Sequence, residues 1–451
     1  MVAYSSMITT GVTWIPQIPS HWELRKIDAL FTERRQKVSD KEYEPLSVTK
    51  NGVLPQLEHA AKSNDGDNRK LVKSGDFVIN SRSDRKGSCG ISQRDGSVSL
   101  INLVLTPRCG LNHEYIHYLL RNYRFSEEYY RNGRGIVADL WTTRYSEMRT
   151  IQLPIPPRAE QDQIVRFLDW KVSEINKFIA IRRKKIQELR NLKNAIASHF
   201  VIKGLNKYVK MKYSGVNWLG DVPESWRIVK LRQILHSVSE KNHPELPLLS
   251  VVREKGVIVR DVDDIESNHN YIPDDLSNYK VVRKNQFVIN KMKSWQGSYG
   301  VSSYTGIVSP AYFIFDIDFP NLEYFQYAIR SKSYVNFFAQ ASDGIRVGQW
   351  DLQMDKMKEI PFLIPPEEEQ REIVNAIKRI QPKCDSQIDN IQRGITILHE
   401  LKNKIISDVV TGKLDVRNIT IPEYEHVDDI ADEYSEADND EEEDESTMEE
   451  E

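Results

Sequence analysis

The sequence predicts a mixed α/β (α+β) protein that is built as a tandem duplication. Three observations lead to this prediction: a set of short motifs occurs twice in the same order, short apolar runs alternate with turn residues, and a long helical pattern ends each half. A chain of 451 residues is also long enough for two or more domains. We therefore expect two similar domains separated by a pair of long antiparallel helices with pseudo-two-fold symmetry.

The repeated motifs run through both halves of the chain. Each half opens with tryptophan, proline and tryptophan, starting at Trp14 and Trp218, and later contains Phe-Val-Ile-Asn. Ile-Pro-Pro, followed by an acidic residue and Gln, occurs at Pro156 and again 209 residues later at Pro365. The pairs PLSVTKNGVL and PLLSVVREKGVI, GSCGIS and GSYGVS, and VIKGL and VVTGKL complete the set. A period of this length indicates duplicated domains, because solenoid repeats are about 20–50 residues long.

The first part of each half predicts short strands and short helices over about 150 residues. Runs such as GDFVIN and AYFIFDI are typical of strands, whereas HEYIHYLLRNY and LEYFQYAIRSKSYVNFF are typical of helices. Gly- and Asn-rich turns separate these runs. Each first part is therefore predicted to be an irregular mixed domain.

A helical part follows each Pro-Pro pair. The prolines end the preceding strand, and acidic residues fill the first helical turn, at Glu160 in one copy and at residues 367–369 in the other. Apolar residues then recur in alternating steps of three and four, a pattern that favours pairing with another helix. The predicted seams are Ile175, Ile179, Arg182, Ile186, Leu189, Lys193, Ile196 and Phe200 in the first copy and Ile388, Ile391, Ile395, Leu398, Lys402, Ile405 and Val409 in the second.

Each helical part is expected to contain a break. Pro382 predicts a short helix at about 367–380 and a long one at about 383–410, and the matching break falls near residues 171–173. A long helix of about 28 residues would span roughly 42 Å.

The formal net charge of −4 combines two different parts. Residues 423–451 contain 17 acidic residues and neither Lys nor Arg, so the other 422 residues hold 62 basic and 49 acidic residues, a net charge of +13. The acidic tail should be disordered, because it has little apolar surface to bury and repels itself. A basic body favours polyanionic partners such as nucleic acid.

The sequence lacks the common catalytic motifs. It contains neither a phosphate-binding Gly-x-x-x-x-Gly-Lys-Ser/Thr loop, nor Gly-x-Ser-x-Gly, nor His-Glu-x-x-His. Cys89, Cys109 and Cys384 include no Cys-x-x-Cys pair, which indicates a reducing compartment and argues against a zinc site. Because there is also no run of about 18 apolar residues and the N-terminus does not look like a secretion signal, we expect a cytoplasmic protein without an active site, a metal or a bound cofactor.

The ordered set of motifs resembles the specificity subunit of type I restriction–modification enzymes. The resemblance rests on the openings at Trp14 and Trp218, the two Phe-Val-Ile-Asn segments, the helix starts after Pro156 and Pro365, and the helix ends at Lys203-Gly204 and Thr411-Gly412-Lys413-Leu414, and it spans about residues 14–415. It implies target recognition domains at 1–153 and 206–362 and helical conserved regions at 154–205 and 363–415. The remaining acidic tail, 416–451, is not a feature associated with the family.

The resemblance also implies a function and a set of partners. Each target recognition domain would read one half of a split double-stranded DNA target, and the helical regions would set the spacing and bind methyltransferase (modification) subunits, typically two. Those subunits would use S-adenosylmethionine to methylate adenine, and restriction subunits that use ATP and Mg would join the complex to cut DNA. The specificity subunit itself would catalyse nothing.

Loops at equivalent positions of the two domains supply the candidate DNA-contacting residues. Lys and Arg bind phosphates, and Arg, Asn and Gln read base edges. The candidates in the first domain are Lys50, Arg82, Arg85, Lys86, Arg131, Arg134 and Arg144, and those in the second are Arg253, Lys291, Lys293, Gln296, Arg346 and Gln349. Trp295 and Trp350 are candidates either for stacking on bases or for packing in the core.

Two other functions stay open from the sequence. The chain could be a free-standing DNA-binding protein of the same fold that has no enzyme partners. It could also be a helical scaffold whose basic surface binds protein or RNA.

Overall fold

The computed structural model describes residues 2–428, apart from 57–65, 109, 136–140, 218, 254, 262–272, 274, 347 and 348. For residues 84, 345, 346 and 349 it describes the main chain only. Trp218 and Cys109 therefore lie outside the described residues. The chain divides into two compact units, Met1–Arg182 with Arg393–Ala431, and Arg183–Gln392 with Asp432–Glu451.

Short strands and helices build the first mixed domain. The elements are β1 Met7–Thr9, β2 Gln17–Pro19, β3 Glu23–Lys26, α1 Ile27–Leu30, β4 Phe31–Glu33, β5 Lys37–Val38, β6 Leu46–Thr49, β7 Gly52–Pro55, β8 Arg69–Val72, β9 Phe77–Asn80, β10 Cys89–Ile91, β11 Gly96–Val98, β12 Asn102–Pro107, α2 His113–Arg121, α3 Tyr123–Arg131, α4 Tyr145–Met148 and β13 Gln152–Ile155, followed by the long helix α5 Arg158–Lys203. The strands form a four-stranded antiparallel sheet in the order β10-β9-β12-β4, a three-stranded sheet in the order β11-β8-β5, and the antiparallel pairs β1-β2, β6-β7 and β3-β13, the last of which joins the start of the domain to its end.

The second mixed domain repeats this arrangement. The elements are β14 Met211–Tyr213, β15 Asp221–Pro223, β16 Arg227–Lys230, β17 Leu235–Val238, β18 Leu249–Val252, β19 Gly256–Val259, β20 Lys280–Val282, β21 Phe287–Asn290, β22 Tyr299–Val301, β23 Gly306–Val308, β24 Tyr312–Ile317, α6 Leu322–Ile329, α7 Lys332–Gln340, β25 Ser342–Arg346, β26 Gln349–Leu352, α8 Met354–Lys358 and β27 Pro361–Ile364, followed by α9 Glu367–Val410. The four-stranded antiparallel sheet has the order β17-β24-β21-β22, and the pairs β14-β15, β16-β27, β18-β19, β20-β23 and β25-β26 accompany it. The predicted α/β (α+β) class is confirmed.

Buried apolar strands form the centre of each four-stranded sheet. All side chains of Phe77–Ile79 in β9 and of Phe287–Ile289 in β21 are buried, as expected for β-branched and aromatic residues on a central strand. The turn into β9 uses left-handed backbone at Gly75, with φ +89°, and the turn into β21 uses it at Asn285, with φ +73°. Asparagine is one of the few other residues that enters this region readily, so both copies make the same turn.

The two long helices are continuous. With 46 and 44 residues, α5 and α9 span about 69 and 66 Å, so the predicted breaks near 171–173 and at Pro382 are wrong, and the predicted helix length was too short. Pro382 lies inside α9, where it removes one main-chain hydrogen bond. Ile377 and Cys384 on either side of it are buried, and this packing holds the helix together through the proline.

Within the first unit, α5 and α9 run antiparallel to each other. Lys402 Nζ donates to Asn176 Oδ1 over 3.4 Å, and further along α5 the side chain of Arg182 lies beside Gly394. The charged seam residues Arg182 and Lys402 therefore lie against the partner helix rather than in solvent.

Within the second unit, the same two helices again run antiparallel. Lys193 Nζ lies 2.7 Å from Asp385 Oδ1, and the end of α5 at Gly204 lies next to Glu369 in the first turn of α9. The predicted seams are confirmed by burial, since the buried helix positions include Ile175, Ile179, Ile186, Leu189, Ile395, Lys402 and Val409.

Each unit combines the mixed domain of one sequence copy with the helix end of the other copy. Val409 and Val410, at the end of α9, belong to the core of the first unit, and Val201 and Ile202, at the end of α5, belong to the core of the second. The two copies thus exchange their helix ends.

A buried tryptophan in the first unit joins these exchanged elements. Trp22 Nε1 donates to Glu160 Oε1 over 3.1 Å, and its ring packs against Gly412, on which a Cβ would lie 3.2 Å from Cζ3. Glu160 is buried, and it also accepts a 2.6 Å hydrogen bond from the Tyr4 hydroxyl and lies 2.7 Å from His21 Nε2. Burial is the larger cause, and the hydrogen bond to Glu160 the second cause, of the raised pKa of Tyr4. The Tyr4 hydroxyl therefore stays protonated and acts as a donor.

The second unit makes the equivalent contact. Trp226 Nε1 donates to Glu369 Oε2 over 2.8 Å, and a Cβ on Gly204 would lie 3.3 Å from Trp226 Cζ2. Gly204 and Gly412 have φ of +75° and +73°, the left-handed conformation that ends helices and that favours glycine. Glycine is therefore required there both by the backbone and by the tryptophan.

The chain after α9 continues along α5 in the first unit. Gln163 Nε2 donates to the carbonyls of Val416 and Ile419 over 3.0 and 2.8 Å, and Asn176 Nδ2 donates to the carbonyl of Val427 over 3.0 Å. For residues 416–428 the structure therefore differs from the predicted disorder of 416–451, because Val416, which is buried, and Ile419 anchor the segment before the acidic residues begin. Residues 429–451 lie outside the described residues.

We predict that Tyr115→Phe and Tyr324→Phe each lower the free energy of unfolding by about 1–2 kcal/mol, because a buried carbonyl loses its donor. The Tyr115 hydroxyl lies 2.8 Å from the carbonyl of Pro154 and 3.4 Å from that of Val410. The Tyr324 hydroxyl lies 3.2 Å from the carbonyl of Leu363 and 3.5 Å from that of Val201. Urea unfolding of the full chain measures the effect.

The control for this prediction is Tyr304→Phe, since the Tyr304 side chain is exposed. Its unfolding midpoint should match that of the unmodified chain. Equal losses for all three variants would show that the two buried hydroxyls do not secure the exchanged helix ends.

Candidate nucleic-acid interface

In the first unit, the predicted basic loop after β9 lies against the segment that follows α3. Residues Ser83–Arg85 form a 3₁₀ turn, and Ser83 N donates to the carbonyl of Trp141 over 2.9 Å. Arg82 and Arg134 each form a β-bridge with Thr142. The main chain therefore places Arg82 and Arg134 on either side of Thr142.

The end of α3 completes this cluster. Lys86 forms an ion pair with Glu127, and the Tyr130 hydroxyl donates to the carbonyl of Arg85 over 3.1 Å. Arg131 lies 2.7 Å from Glu128, and this hydrogen bond raises the pKa of the guanidinium. The basic residues of the turn and those of α3 thus share one end of the four-stranded sheet.

Glu147 connects the remaining two candidates of this cluster. Arg134 Nε lies 3.9 Å from Glu147 Oε1, and the main-chain N–H of Arg144 donates to Glu147 Oε2 over 3.2 Å. Both arginines are exposed. The structure therefore brings Arg82, Arg85, Lys86, Arg131, Arg134 and Arg144 together at one end of the domain.

Lys50 belongs to a neighbouring turn between β6 and β7. Arg121 Nη2 donates to the carbonyl of Lys50 over 2.5 Å, which fixes the turn to the end of α2. The turn also passes close to β10, because a Cβ on Gly90 would lie only 3.1 Å from Gly52 Cα. Glycine at position 90 permits this approach.

The second unit gathers the equivalent residues. Lys291 lies 2.8 Å from Asp351 and precedes the 3₁₀ turn Ser294–Gln296, while the ring of Trp295 stacks on Trp350 with centroids 5.7 Å apart and planes at 29°. The tryptophans proposed for base stacking thus stack on each other.

The other candidates of the second unit fall into three places. Lys293 lies next to the 3₁₀ turn, half-buried, and Arg253 lies on the exposed turn between β18 and β19, where its carbonyl accepts from Arg330 Nη2 over 2.7 Å. Arg346 and Gln349 are paired in the β25–β26 hairpin, but their side chains lie outside the described residues. Gln296 ends the 3₁₀ turn, and its Oε1 is buried and has no hydrogen-bond partner among the described residues; its contact with DNA stays a prediction.

Sequence reasoning did not identify Arg121 and Arg330. They end α2 and follow α6, and each donates to the carbonyl of a candidate residue, Lys50 or Arg253. Arg330 Nη1 also donates to the carbonyl of Tyr299 over 2.5 Å. The repeat could have identified both arginines, since Arg121 in LLRN and Arg330 in AIRS occupy equivalent positions of the two copies.

Cys89 lies beneath the first interface, in β10. Complete burial raises the pKa of its thiol to about 12, so this cysteine stays protonated and acts as a packing residue. Among the described residues, no group of three or more His, Cys, Asp or Glu side chains could hold a metal ion. No helix in the same part of the chain is both long and apolar enough to cross a membrane.

Comparison with known proteins identifies relatives of one kind. The chain is 24% identical over 288 residues to the type I restriction enzyme MjaVIII specificity subunit of Methanocaldococcus jannaschii, covering 60% of this chain and 63% of the relative. It is 21% identical over 241 residues to the putative type I restriction enzyme MjaX specificity subunit of the same organism, covering 49% and 54%. The chain therefore matches less than two thirds of the length of these relatives, and no family model matches it.

A structural comparison shows a shared fold. A chain solved in work on complex assembly and conformational transition of the type I restriction–modification system superposes with a TM-score of 0.57 at 13% identity, over 88% of this chain and 99% of that one. The resemblance to type I specificity subunits that the repeated motifs indicated is confirmed by these relatives.

We predict that Arg330→Ala loosens the turn between β18 and β19, because the turn loses a charge-assisted hydrogen bond. Amide hydrogen exchange at residues 252–257 should become at least about fivefold faster, a change of roughly 1 kcal/mol in local opening. Arg283→Ala is the matched control, since Arg283 pairs with Glu240 at the surface and exposed ion pairs contribute little. Unchanged exchange in Arg330→Ala would rule out this role.

Proposed function

We propose that this chain is the DNA-reading specificity subunit of a type I restriction–modification complex. Each mixed domain reads one part of a bipartite double-stranded target, and the long helices dock methyltransferase subunits. The partner subunits use S-adenosylmethionine to methylate adenine, and restriction subunits that use ATP and Mg join them for cleavage. The chain itself supplies recognition and no catalytic step.

One observation carries the DNA-binding part of this proposal. The two mixed domains differ in sequence outside their motifs, yet both have basic residues at the same end of the four-stranded sheet. In the first unit these are the residues around the turn Ser83–Arg85, and in the second those around Ser294–Gln296. A basic, exposed surface built twice on the same scaffold is what reading two parts of one polyanion requires.

The ion pairs at these surfaces are suited to exchange with phosphate. The side chains of Lys86 and Glu127 and of Lys291 and Asp351 are all more than a third exposed. Such exposed pairs contribute only about 0.2–1 kcal/mol. A DNA phosphate can therefore replace the carboxylate with a small loss, while the same lysine gains a contact to the more highly charged backbone.

Docking of methyltransferase subunits is supported by apolar side chains on the long helices. Two exposed apolar residues on α5 and two on α9 lie in the first unit. They are Phe178, Ile181, Ile397 and Leu401, with 57%, 58%, 62% and 43% exposure. Apolar side chains of this kind form the centres of protein–protein contacts.

Reconstitution tests the whole proposal. The purified chain is mixed with a partner methyltransferase subunit and genomic DNA, and methylated adenines are mapped. A stable complex that methylates adenine within a single split sequence supports the proposal. A chain that binds DNA without forming the complex would instead be a free-standing DNA-binding protein, and a chain that binds only protein or RNA would be a scaffold.

We predict that Arg134→Ala in the first unit and Lys291→Ala in the second each weaken binding to a mixed-sequence duplex about three- to tenfold. Each variant should also reduce the slope of log affinity against log salt by about 1, because one phosphate contact is lost. Fluorescence anisotropy over a salt series measures both quantities.

Arg94→Ala is the control for these variants. Arg94 is exposed, but it follows β10, at the end of the sheet away from the turn Ser83–Arg85. Its affinity and salt slope should equal those of the unmodified chain. Equal losses in all three variants would indicate an effect of net charge alone and contradict the assigned interface.

We predict that the double variant Phe178→Ser and Ile181→Ser abolishes complex formation with the methyltransferase subunit, because it removes exposed apolar contact area. Duplex affinity should be unchanged. Size-exclusion chromatography of the mixture measures the complex. Tyr208→Ser, which changes another exposed large side chain outside the long helices, should leave the complex intact, and an intact complex in the double variant would contradict this docking site.

A further inference from the structure

A basic cavity of about 600 Å³ lies at the start of α5 in the first unit. It is formed where β3, the end of β12 and the Pro-Pro turn before α5 meet. Its charged and titratable lining residues are Arg25, Arg108, Arg158, His21 and Glu23. Three guanidinium groups therefore face one concave surface.

Few carboxylates offset these arginines. Arg25 lies 3.9 Å from Glu23, and Arg158 lies 2.9 Å from Asp162, whereas Arg108 makes no ion pair with any described residue. Glu160 is buried, its Oε1 accepts from Trp22 Nε1, and its Oε2 lies 2.7 Å from Nε2 of the lining residue His21. Of the three arginines, Arg108 is thus the one without a carboxylate partner among the described residues.

The duplicated domain provides an internal comparison. The N–H of Arg108 donates to the carbonyl of Leu30 over 2.8 Å, and in the second unit the N–H of Asp318 donates to the carbonyl of Ile234 over the same distance. Position 108 in the first copy therefore corresponds to position 318 in the second. One copy carries a cation there and the other a carboxylate.

The other two arginines are also absent from the second copy. Strand pairing aligns Ile155 with Glu23 and Ile364 with Arg227, so Arg25 corresponds to Val229 and Arg158 to Glu367. The same backbone folds with a valine and two acidic residues at the three positions. The backbone therefore does not itself require arginine at these three positions.

The cavity is separate from the proposed DNA-reading surface. Asn102, at one end of β12, pairs with Asn80 just before the basic turn, whereas Arg108 follows the other end of that strand. A strand of six residues spans about 20 Å. A ligand in the cavity would thus lie at the opposite end of the sheet.

We propose that this cavity binds a phosphate group, carried either by a free phosphorylated small molecule or by a nucleic-acid backbone. Guanidinium groups match phosphate oxygens with paired hydrogen bonds, and the start of a long helix adds a favourable positive potential. The volume exceeds what one phosphate fills, which leaves room for the rest of the ligand.

Calorimetric titration of the full chain tests the proposal with two probes, pyrophosphate and a short mixed-sequence duplex. The test variant is Arg25→Val, Arg108→Asp and Arg158→Glu combined, which installs the residues of the second copy. We expect binding of at least one probe to weaken about tenfold or more, since several charge-assisted hydrogen bonds are lost.

The two probes distinguish the two sources of phosphate. Weaker pyrophosphate binding with unchanged duplex binding identifies a free phosphorylated ligand. The pyrophosphate titration tests the cavity even if the chain does not read DNA. Weaker duplex binding with a smaller salt slope identifies a backbone phosphate. No change with either probe overturns the proposal.

A milder variant guards against a folding defect. Arg108→Ala alters one exposed side chain and keeps the main-chain hydrogen bond to Leu30, so its melting temperature should stay unchanged while binding weakens about threefold or more. Arg94→Ala, outside the cavity, is the matched control and should bind like the unmodified chain. Equal binding by Arg108→Ala and Arg94→Ala would also overturn the proposal.

Discussion

The structure depends on one contact of a buried tryptophan that is made twice. A tryptophan ring lies between a glutamate in the first turn of one long helix and the glycine that ends the other helix, as Trp22 does with Glu160 and Gly412. The indole N–H satisfies a carboxylate that burial would otherwise penalise, and the missing Cβ of the glycine admits the ring. Each contact joins the start of one long helix to the end of the other, so the two sequence copies share these elements.

Duplication leaves a common scaffold and two different surfaces. Both units present basic residues at the same sheet end, which suits two readers of one kind of polymer. At the start of the long helices the copies differ in charge, with Arg158 in one and Glu367 in the other. Positions that hold the fold, such as the tryptophans and the helix-ending glycines, are thus kept in both copies, whereas the charge at the helix starts is not.

The sequence predicted the large features and missed the local ones. Motif order revealed the duplication. The three-four spacing of residues such as Ile179 and Ile395 revealed the helix seams, because the buried face of a helix requires apolar residues at that spacing. The break at Pro382 was not correct, because local propensity was outweighed by packing on either side. Ion pairs such as Lys86 with Glu127 depend on main-chain placement between distant segments, and single-sequence patterns do not contain that information.

The exchanged helix ends have an evolutionary consequence. The hydroxyls of Tyr115 and Tyr324 reach toward main-chain carbonyls at Val410 and Val201, and carbonyls do not vary with the side chain. Recombination between the repeated motifs can therefore place a different mixed domain on the same, unchanged helix ends. New recognition could arise in this way by shuffling whole domains, without matching changes in the helices that receive them.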